Sequence, residues 1–434
     1  MGDFMEDEIY DCVGIGCGPS NLSVAAQLYG LREIRYIFFE KKTEFSWHSG
    51  MMLPDVSLQV SMFKDLVTLA DPTNPFSFLS YLHQHGRLLS FLNAKFAHVL
   101  RSEFSAYLKW AAHANKNISF GQEVNCVEFD GSYFVVRTAH RKVLCKNVIV
   151  GVGIEPYLPE CARFNVDDNT CFHVSQFADK PRSLGCRRVV VVGGGQSGAE
   201  AVLELLRRSG KEAPSQVSWI SRRENFSPID DSPFANELFT PTHSNFFYSQ
   251  AAQFRESFIK RNELASDGIS EDILRSIYQR IYTIRYVEQA PTQVRLMPSR
   301  SVSEVRCVGG EWHLAAKHLG THTLETHKSD VVIWATGFRS AAHPFSGNLK
   351  HRLEREGGEI RVGRDYAAAW SGPADRHIFM LNATRGQWGL ADPNLSLMAW
   401  RAQIVIDKIL NRPRDANVGE ASFINWGALE ADSL

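Results

Sequence analysis

"RRVVVVGGGQSGAEAVLELLRR", residues 187–208, decides the fold. Four consecutive valines, 189–192, read as a strand buried on both faces, as in a parallel sheet. Gly193, Gly195 and Gly198 then complete G-x-G-x-x-G, and an amphipathic helix follows. Strand, glycine turn and helix in that order give the pattern its dinucleotide-binding meaning. The second glycine lets the backbone approach a pyrophosphate, with Ser197 and the helix N-terminus beside it. The next strand, "QVSWI", ends in Ser221-Arg222-Arg223 rather than in an acid. Arginines at that place match a 2′-phosphate, so NADPH is the expected nucleotide.

A second turn of the same kind lies upstream. In "YDCVGIGCGPSNLSVAAQL", residues 10–28, a strand runs into Gly16, Gly18 and Pro19, with Asn21 in place of the third glycine. The following strand, Ile34 to Phe39, ends in Glu40, whose carboxylate suits ribose hydroxyls. Two further apolar strands, "NVIVGVGIEPYLP" (147–159) and "SDVVIWATGFR" (329–339), end in glycine turns, the latter at Thr336-Gly337. The expected architecture is α/β, with two Rossmann-like domains and the NADPH domain inserted in the FAD domain. The boundaries expected are 1–183 and 329–434 for the FAD domain and 184–328 for the NADPH domain. A small helical substrate region is placed around 236–290, and a C-terminal substrate loop in the last segment.

Composition agrees with this. A chain of 434 residues is too long for one ordinary core. A net charge of −1 shows no bias toward nucleic acid or anionic membrane. No apolar run approaches the roughly 20 residues of a membrane span. The start, "MGDFMEDEIYD", carries neither a signal-peptide pattern nor the Ser or Thr that myristoylation at Gly2 wants. Eight scattered cysteines fit reduced thiols and a cytoplasmic protein. Cys12 and Cys17 have the spacing of a redox disulfide, but one lies on a buried strand and the other in the nucleotide turn, so they read as packed thiols. No metal site is expected.

The more specific segments are "FSWHSGMMLPD", "LQVSMFKDLVTLADPTNPFSFLSYL" and "SRRENFSPIDDSPFANELFTP", with "GCGPSNL", "VVGGGQSGAE", "DVVIWATGFR" and "LSLMAWR" around them. Through them nearly the whole chain resembles the flavin-dependent N-hydroxylating monooxygenases of siderophore biosynthesis, and the lysine enzymes most of all. The chain departs from the family pattern at Trp334 and Phe338, read as packing variants, and at Trp388-Gly389, where a His-Gly pair is usual.

The resemblance implies FAD and NADPH as cofactors, O₂ as co-substrate, and N-hydroxylation of a primary amine through a flavin hydroperoxide. It also implies a homo-oligomer, with a tetramer expected. Trp47 and His48 would lie beside the flavin. Gln59 resembles the glutamine near the isoalloxazine and its oxygen adduct, and with His48 is the catalytic candidate. Lys64 resembles the lysine that pairs with a substrate α-carboxylate, and Asn236 the asparagine that holds the substrate. Ser266, Leu395 and Ser396 complete the substrate residues. Asp65, next to Lys64, reads as a residue that holds its loop. Lys64 and the segment Ser266-Asp267-Gly268 favour lysine, whereas asparagine in "PFANELF" is nearer the ornithine enzymes. L-lysine is therefore the expected substrate, with an aliphatic diamine (cadaverine or putrescine) or L-ornithine as alternatives. An NADPH-dependent flavin reductase or a sulfide or ketone monooxygenase is the alternative of another class. "FKDL" together with "FSWH" speaks against it.

Overall fold

The computed structural model describes residues 9–163, 165–166, 169–180, 184–413 and 422–427. The acidic start and the site of the myristoylation question, residues 1–8, lie outside the described residues, as do residues 428–434 of the C-terminal tail.

Strand Ile9–Ile15 lies inside a seven-stranded sheet. It pairs in parallel with Tyr36–Glu40 on one side and Lys142–Val150 on the other. Ile118–Phe120 continues beyond Tyr36–Glu40. The first half of Lys142–Val150 pairs antiparallel with Phe134–Thr138, and its second half pairs in parallel with His377–Met380. The last part of the chain thus returns to the first sheet.

A second sheet holds Gln293–Met297, Gln216–Ile220, Arg188–Val192, Val331–Trp334 and Cys171–His173, all parallel. The valine run explains itself here. Val189 and Val191 pack with Val202, Leu205 and Leu206 of helix Gln196–Arg207. Val190 and Val192 pack on the other face with Trp312, Leu314 and Trp334. Alternate side chains therefore enter two different cores, and both faces must be apolar.

The insertion is seen directly: between residues 171 and 334 the chain builds the second sheet and a separate three-stranded antiparallel sheet (Arg300–Val308, Glu311–His318 and Leu324–Ser329), while Lys142–Val150 before and His377–Met380 after belong to the first sheet. The passages fall before residue 171 and after residue 334, not at 183/184 and 328/329. Cys171–His173 is a three-residue strand at the sheet edge and carries little pattern, whereas Val331–Trp334, legible as a strand, joins the second sheet rather than the first. At the passages, Ile154–Pro156 and Phe338–Ser340 pair antiparallel, so the outgoing and returning chains run side by side.

Helices Pro233–Asn236, Pro241–Tyr248, Ala252–Arg261, Leu264–Asp267 and Glu271–Tyr282 follow one another before the second sheet is completed. Proline stands at the start of the first two, where a missing N–H costs little, and Ser232 and Thr240 cap them. No described helix is long and apolar enough to cross a membrane.

Candidate active site

A cavity of about 570 Å³ opens at the ends of strands Ile9–Ile15 and Tyr36–Glu40. Gly16, Gly18, Pro19, Glu40, Trp47 and His48 all line it. Gly16 has φ +80°, and a Cβ there would lie 2.5 Å from the Gly151 carbonyl oxygen. Gly18 is different: a Cβ would meet nothing within 4 Å, so its space is left to a ligand. Helix Pro19–Leu28 starts there with no side-chain cap, leaving backbone N–H groups for an anion. The Glu40 carboxylate accepts from Cys17 N–H at 2.8 Å and Lys42 N–H at 3.0 Å. Those two bonds aim it and leave acceptor capacity for hydroxyl groups.

Asn21 does not line the cavity. It is fully buried, and its amide donates to the carbonyls of Gly16 at 2.8 Å and Ile15 at 3.1 Å. It ties the turn to its strand from behind, which is a positioning task rather than a contact. Asn382, unmarked by any sequence signal, stands on the cavity wall with φ +60° and a buried Oδ1 that has no partner. An acceptor so placed fits a donor on a dinucleotide. The open glycine, the uncapped helix, the aimed carboxylate and the orphaned amide together fit FAD.

His48 faces the cavity, with Trp47 4.9 Å and Phe338 6.2 Å away, centroid to centroid. Desolvation first, then the charges of Arg101 and Lys42, push its pKa down to about 4. His48 is exposed where it opens onto the cavity, and the protein packed around that opening still desolvates the ring. A neutral imidazole borders the cavity. Phe338 also lines the cavity, so this departure is part of the site wall as well as of the packing. Trp334 is packing alone, fully buried with its indole N–H on Cys171 Sγ at 3.3 Å. Trp388 is buried between Tyr248 and Tyr366, at 4.5 and 4.4 Å. Cys12 and Cys17 are free, buried thiols, both pushed up by desolvation.

At the second turn, Gly193 has φ +139°, and a Cβ there would lie 1.9 Å from the Ala335 carbonyl oxygen. Gly198 packs against Gly193 in the same way, whereas at Gly195 a Cβ would meet only the Asp267 carbonyl oxygen, at 3.9 Å. Ser197 is half-buried in the first turn of helix Gln196–Arg207, which also lacks a side-chain cap. The two arginines separate in role. Arg223 donates to the carbonyls of Gly194 at 3.1 Å and Asp267 at 2.9 Å, bracing the turn. Arg222 is exposed.

Gln59 is half-buried beside the second glycine turn rather than on the cavity wall. Its amide lies 3.3 Å from Gln196 Oε1 and 3.3 Å from Ser270 Oγ. Gln196 also donates to Glu200 at 2.9 Å, and Glu200 is paired with Arg101, whose guanidinium reaches the Met51 carbonyl. These partners were invisible in the sequence.

Lys64 is half-buried, with Nζ 6.0 Å from the centroid of the Phe239 ring. Desolvation lowers its pKa, and the charge of Asp231 partly opposes this. Asn236 lies three residues before Phe239 and donates its amide to Asp231 Oδ1 at 2.9 Å. Asp65 is buried and accepts from the N–H groups of Val67, Thr68 and Phe78 at 2.9, 2.7 and 2.6 Å. It holds the Lys64 loop to the helix that follows. Leu395 lines the cavity, while Ser396 is buried with its hydroxyl unpartnered. Ser266 sits apart from Lys64 in these contacts, with its hydroxyl 3.2 Å from Arg385. Thr336 donates to the Tyr157 carbonyl at 2.6 Å, and the Gly337 carbonyl accepts from His173 at 3.1 Å. Both residues fasten the crossing between the sheets.

The family described as L-lysine 6-monooxygenase/L-ornithine 5-monooxygenase matches residues 8–340. The chain belongs to this family. It is 38% identical to the L-lysine N6-monooxygenase of Escherichia coli over 405 residues, covering 93% of this chain and 95% of the relative. The cadaverine monooxygenase of the desferrioxamine pathway from Erwinia amylovora, solved with FAD, is similar with a TM-score of 0.90 and 25% identity, covering 98% of this chain and 100% of that one. The ornithine N-hydroxylase of Kutzneria sp. 744, solved with reduced FAD, NADP⁺ and L-ornithine, has a TM-score of 0.85 and 28% identity, covering 93% of this chain and 99% of that one. This member of the lysine/ornithine monooxygenase family is thus an FAD- and NADPH-dependent N-hydroxylating monooxygenase of siderophore biosynthesis. The relatives act on lysine, ornithine and diamines, so family membership alone leaves the amine open.

Proposed function

We propose that the enzyme N-hydroxylates the side-chain amine of L-lysine. The observation that carries this reading is Lys64, a half-buried cation with no carboxylate within salt-bridge distance among the described residues. A desolvated, unpaired ammonium is costly, and a substrate carboxylate would relieve it by a charge-assisted hydrogen bond. A diamine would instead bring a second cation to the same place.

When bound and reduced by NADPH, FAD supplies the activation of O₂ and the transfer of one oxygen atom to the amine. The chain's own residues have other tasks. Gly18 and the uncapped start of helix Pro19–Leu28 receive the FAD pyrophosphate, and Glu40 its ribose. Gly195, Ser197 and the start of helix Gln196–Arg207 receive that of NADPH, with Arg222 reaching the 2′-phosphate. Gln59 orients groups at the seam between the two nucleotides. Trp47, His48 and Phe338 exclude water from the flavin side, and His48, being neutral, adds no charge there.

The reacting amine must be uncharged. With an ordinary pKa near 10.4, neutralising it at pH 7 costs about 4–5 kcal/mol. An apolar pocket lowers the pKa of the reacting amine by desolvation, and the chain needs no dedicated base. O₂ as co-substrate and a cytoplasmic homo-oligomer belong to the same reading, supported by the family resemblance.

The test is product formation with NADPH and O₂ from lysine, ornithine, putrescine and cadaverine. Lysine is expected to give the hydroxylamine with the highest kcat/KM. NADPH oxidation that yields only peroxide with all four amines would defeat the N-hydroxylase reading, and a diamine preference would defeat the lysine reading.

A further inference from the structure

We propose that Asp231 binds the α-ammonium of the substrate, so that Lys64 and Asp231 together select a zwitterionic head group. The inference rests on the amino-acid reading of the site and adds a second recognition residue to it.

The observations meet on one short stretch, residues 231–239. Asn236, the last residue of Pro233–Asn236, donates its amide to Asp231 at both Oδ1 (2.9 Å) and the backbone carbonyl (3.3 Å). The Asp231 carboxylate is therefore held in place, with one oxygen used and acceptor capacity left over. Phe239 ends the next turn, Glu237–Phe239, and Lys64 Nζ lies over its ring at 6.0 Å. The cation and the anion thus stand over the same short stretch of chain, and the charge of Asp231 acts on Lys64.

Yet they do not close into an ion pair, and neither has an ion-pair partner among the described residues. An exposed Asp and a flexible Lys with nothing between them gain by meeting. Here Asn236 keeps the carboxylate back and Phe239 supports the ammonium. The arrangement is two opposite charges, neither in an ion pair among the described residues, held against one stretch of chain, 231–239. An α-amino acid carries its carboxylate and ammonium on one carbon and satisfies both at once. A diamine satisfies Asp231 and opposes Lys64, and an ω-amino acid without an α-amine satisfies Lys64 and opposes Asp231. Asn236 then acts by placing Asp231 as well as by any contact of its own.

The test uses Asp231→Asn, which keeps shape and removes charge. Three amines are compared in the full-length enzyme with FAD and NADPH: L-lysine, 6-aminohexanoate, which lacks the α-ammonium, and cadaverine, which lacks the carboxylate. The variant is expected to lose about 10–100-fold in kcat/KM for lysine, the worth of one charge-assisted hydrogen bond. Its kcat/KM for 6-aminohexanoate should hold or rise, because a repelling charge has gone. Equal losses for lysine and 6-aminohexanoate, or no loss for lysine, would overturn the assignment. If ornithine rather than lysine is turned over, the same comparison is made between ornithine and 5-aminopentanoate. That result would defeat the lysine reading and leave this inference to its own outcome. Turnover of diamines alone would overturn both.

Discussion

Arg101 and Glu200 form a two-pronged ion pair, 2.7 and 2.9 Å, between the helix that packs on the first sheet and the helix that leaves the second glycine turn. The Glu200 side chain is fully buried and that of Arg101 is 15% exposed. Arg101 also holds the Met51 carbonyl, and Glu200 also holds Gln196, the partner of Gln59. The pair therefore pins the NADPH turn to the wall of the flavin cavity. Removing one partner of such a pair costs about 3–5 kcal/mol, because the other charge remains buried. Glu200→Gln is expected to lower the denaturant midpoint accordingly and to slow flavin reduction by NADPH. Urea unfolding and stopped-flow flavin absorbance check the two effects.

Arg222 and Arg223 should separate under mutation. Arg222→Ala removes the exposed guanidinium and should raise the KM for NADPH about 3–30-fold, with little change for NADH. Arg223→Ala removes a brace from the glycine turn and should weaken both nucleotides. Steady-state KM values with the two cofactors distinguish them.

The enzyme should lose stability in mild acid. His173 and His243 are 3% and 2% exposed, and burial pushes both pKa values down to about 4. Hydrogen bonds to the Gly337 and Leu238 carbonyls only partly oppose this. Between about pH 6.5 and 4 the unfolded chain takes up protons that the folded chain refuses. Stability is therefore full above pH 6.5 and falls as pH drops, by on the order of 2–3 kcal/mol for each histidine. Urea midpoints at pH 7.5 and pH 5 should show the fall, and His243→Phe should flatten it.

Arg401 holds the loop that carries Leu395 and Ser396. It is 2% exposed and donates to the carbonyls of Ala391, Asp392 and Asn394 at 2.8, 2.5 and 3.0 Å. Burial raises the pKa of Asp392, and the Arg401 charge opposes this first among several smaller effects. Arg401→Leu should destabilise the protein by roughly 3–5 kcal/mol, since a buried acid and three carbonyls lose their partner. Thermal unfolding with excess FAD is the measurement.

The glycine turns and the valine strand were legible in the sequence because each needs a residue type that little else demands there. Gly16 and Gly193 adopt positive φ against a neighbouring carbonyl, and Val189–Val192 feed two cores. The first passage between sheets was misplaced because Cys171–His173 is too short to show a period, and the second because a legible strand, Val331–Trp334, does not announce which sheet it joins. Contacts were harder to read than elements. Asn21 occupies a glycine position but points inward, and Arg223 ends the right strand but braces a turn. Arg101 and Glu200 are 99 residues apart, and nothing local joins them. Asn382 is legible only once the cavity exists, since an unpartnered oxygen is a property of surroundings rather than of sequence.

The most direct measurement of the central claim is kcat/KM for lysine and for cadaverine in the wild type and in Lys64→Ala. Losing one partner of a desolvated charge pair costs about 2–5 kcal/mol. The KM for lysine should therefore rise at least tenfold, while cadaverine is used as well as before or better and flavin reduction by NADPH stays near the wild-type rate. An unchanged KM for lysine would contradict the assignment of Lys64 to a substrate carboxylate.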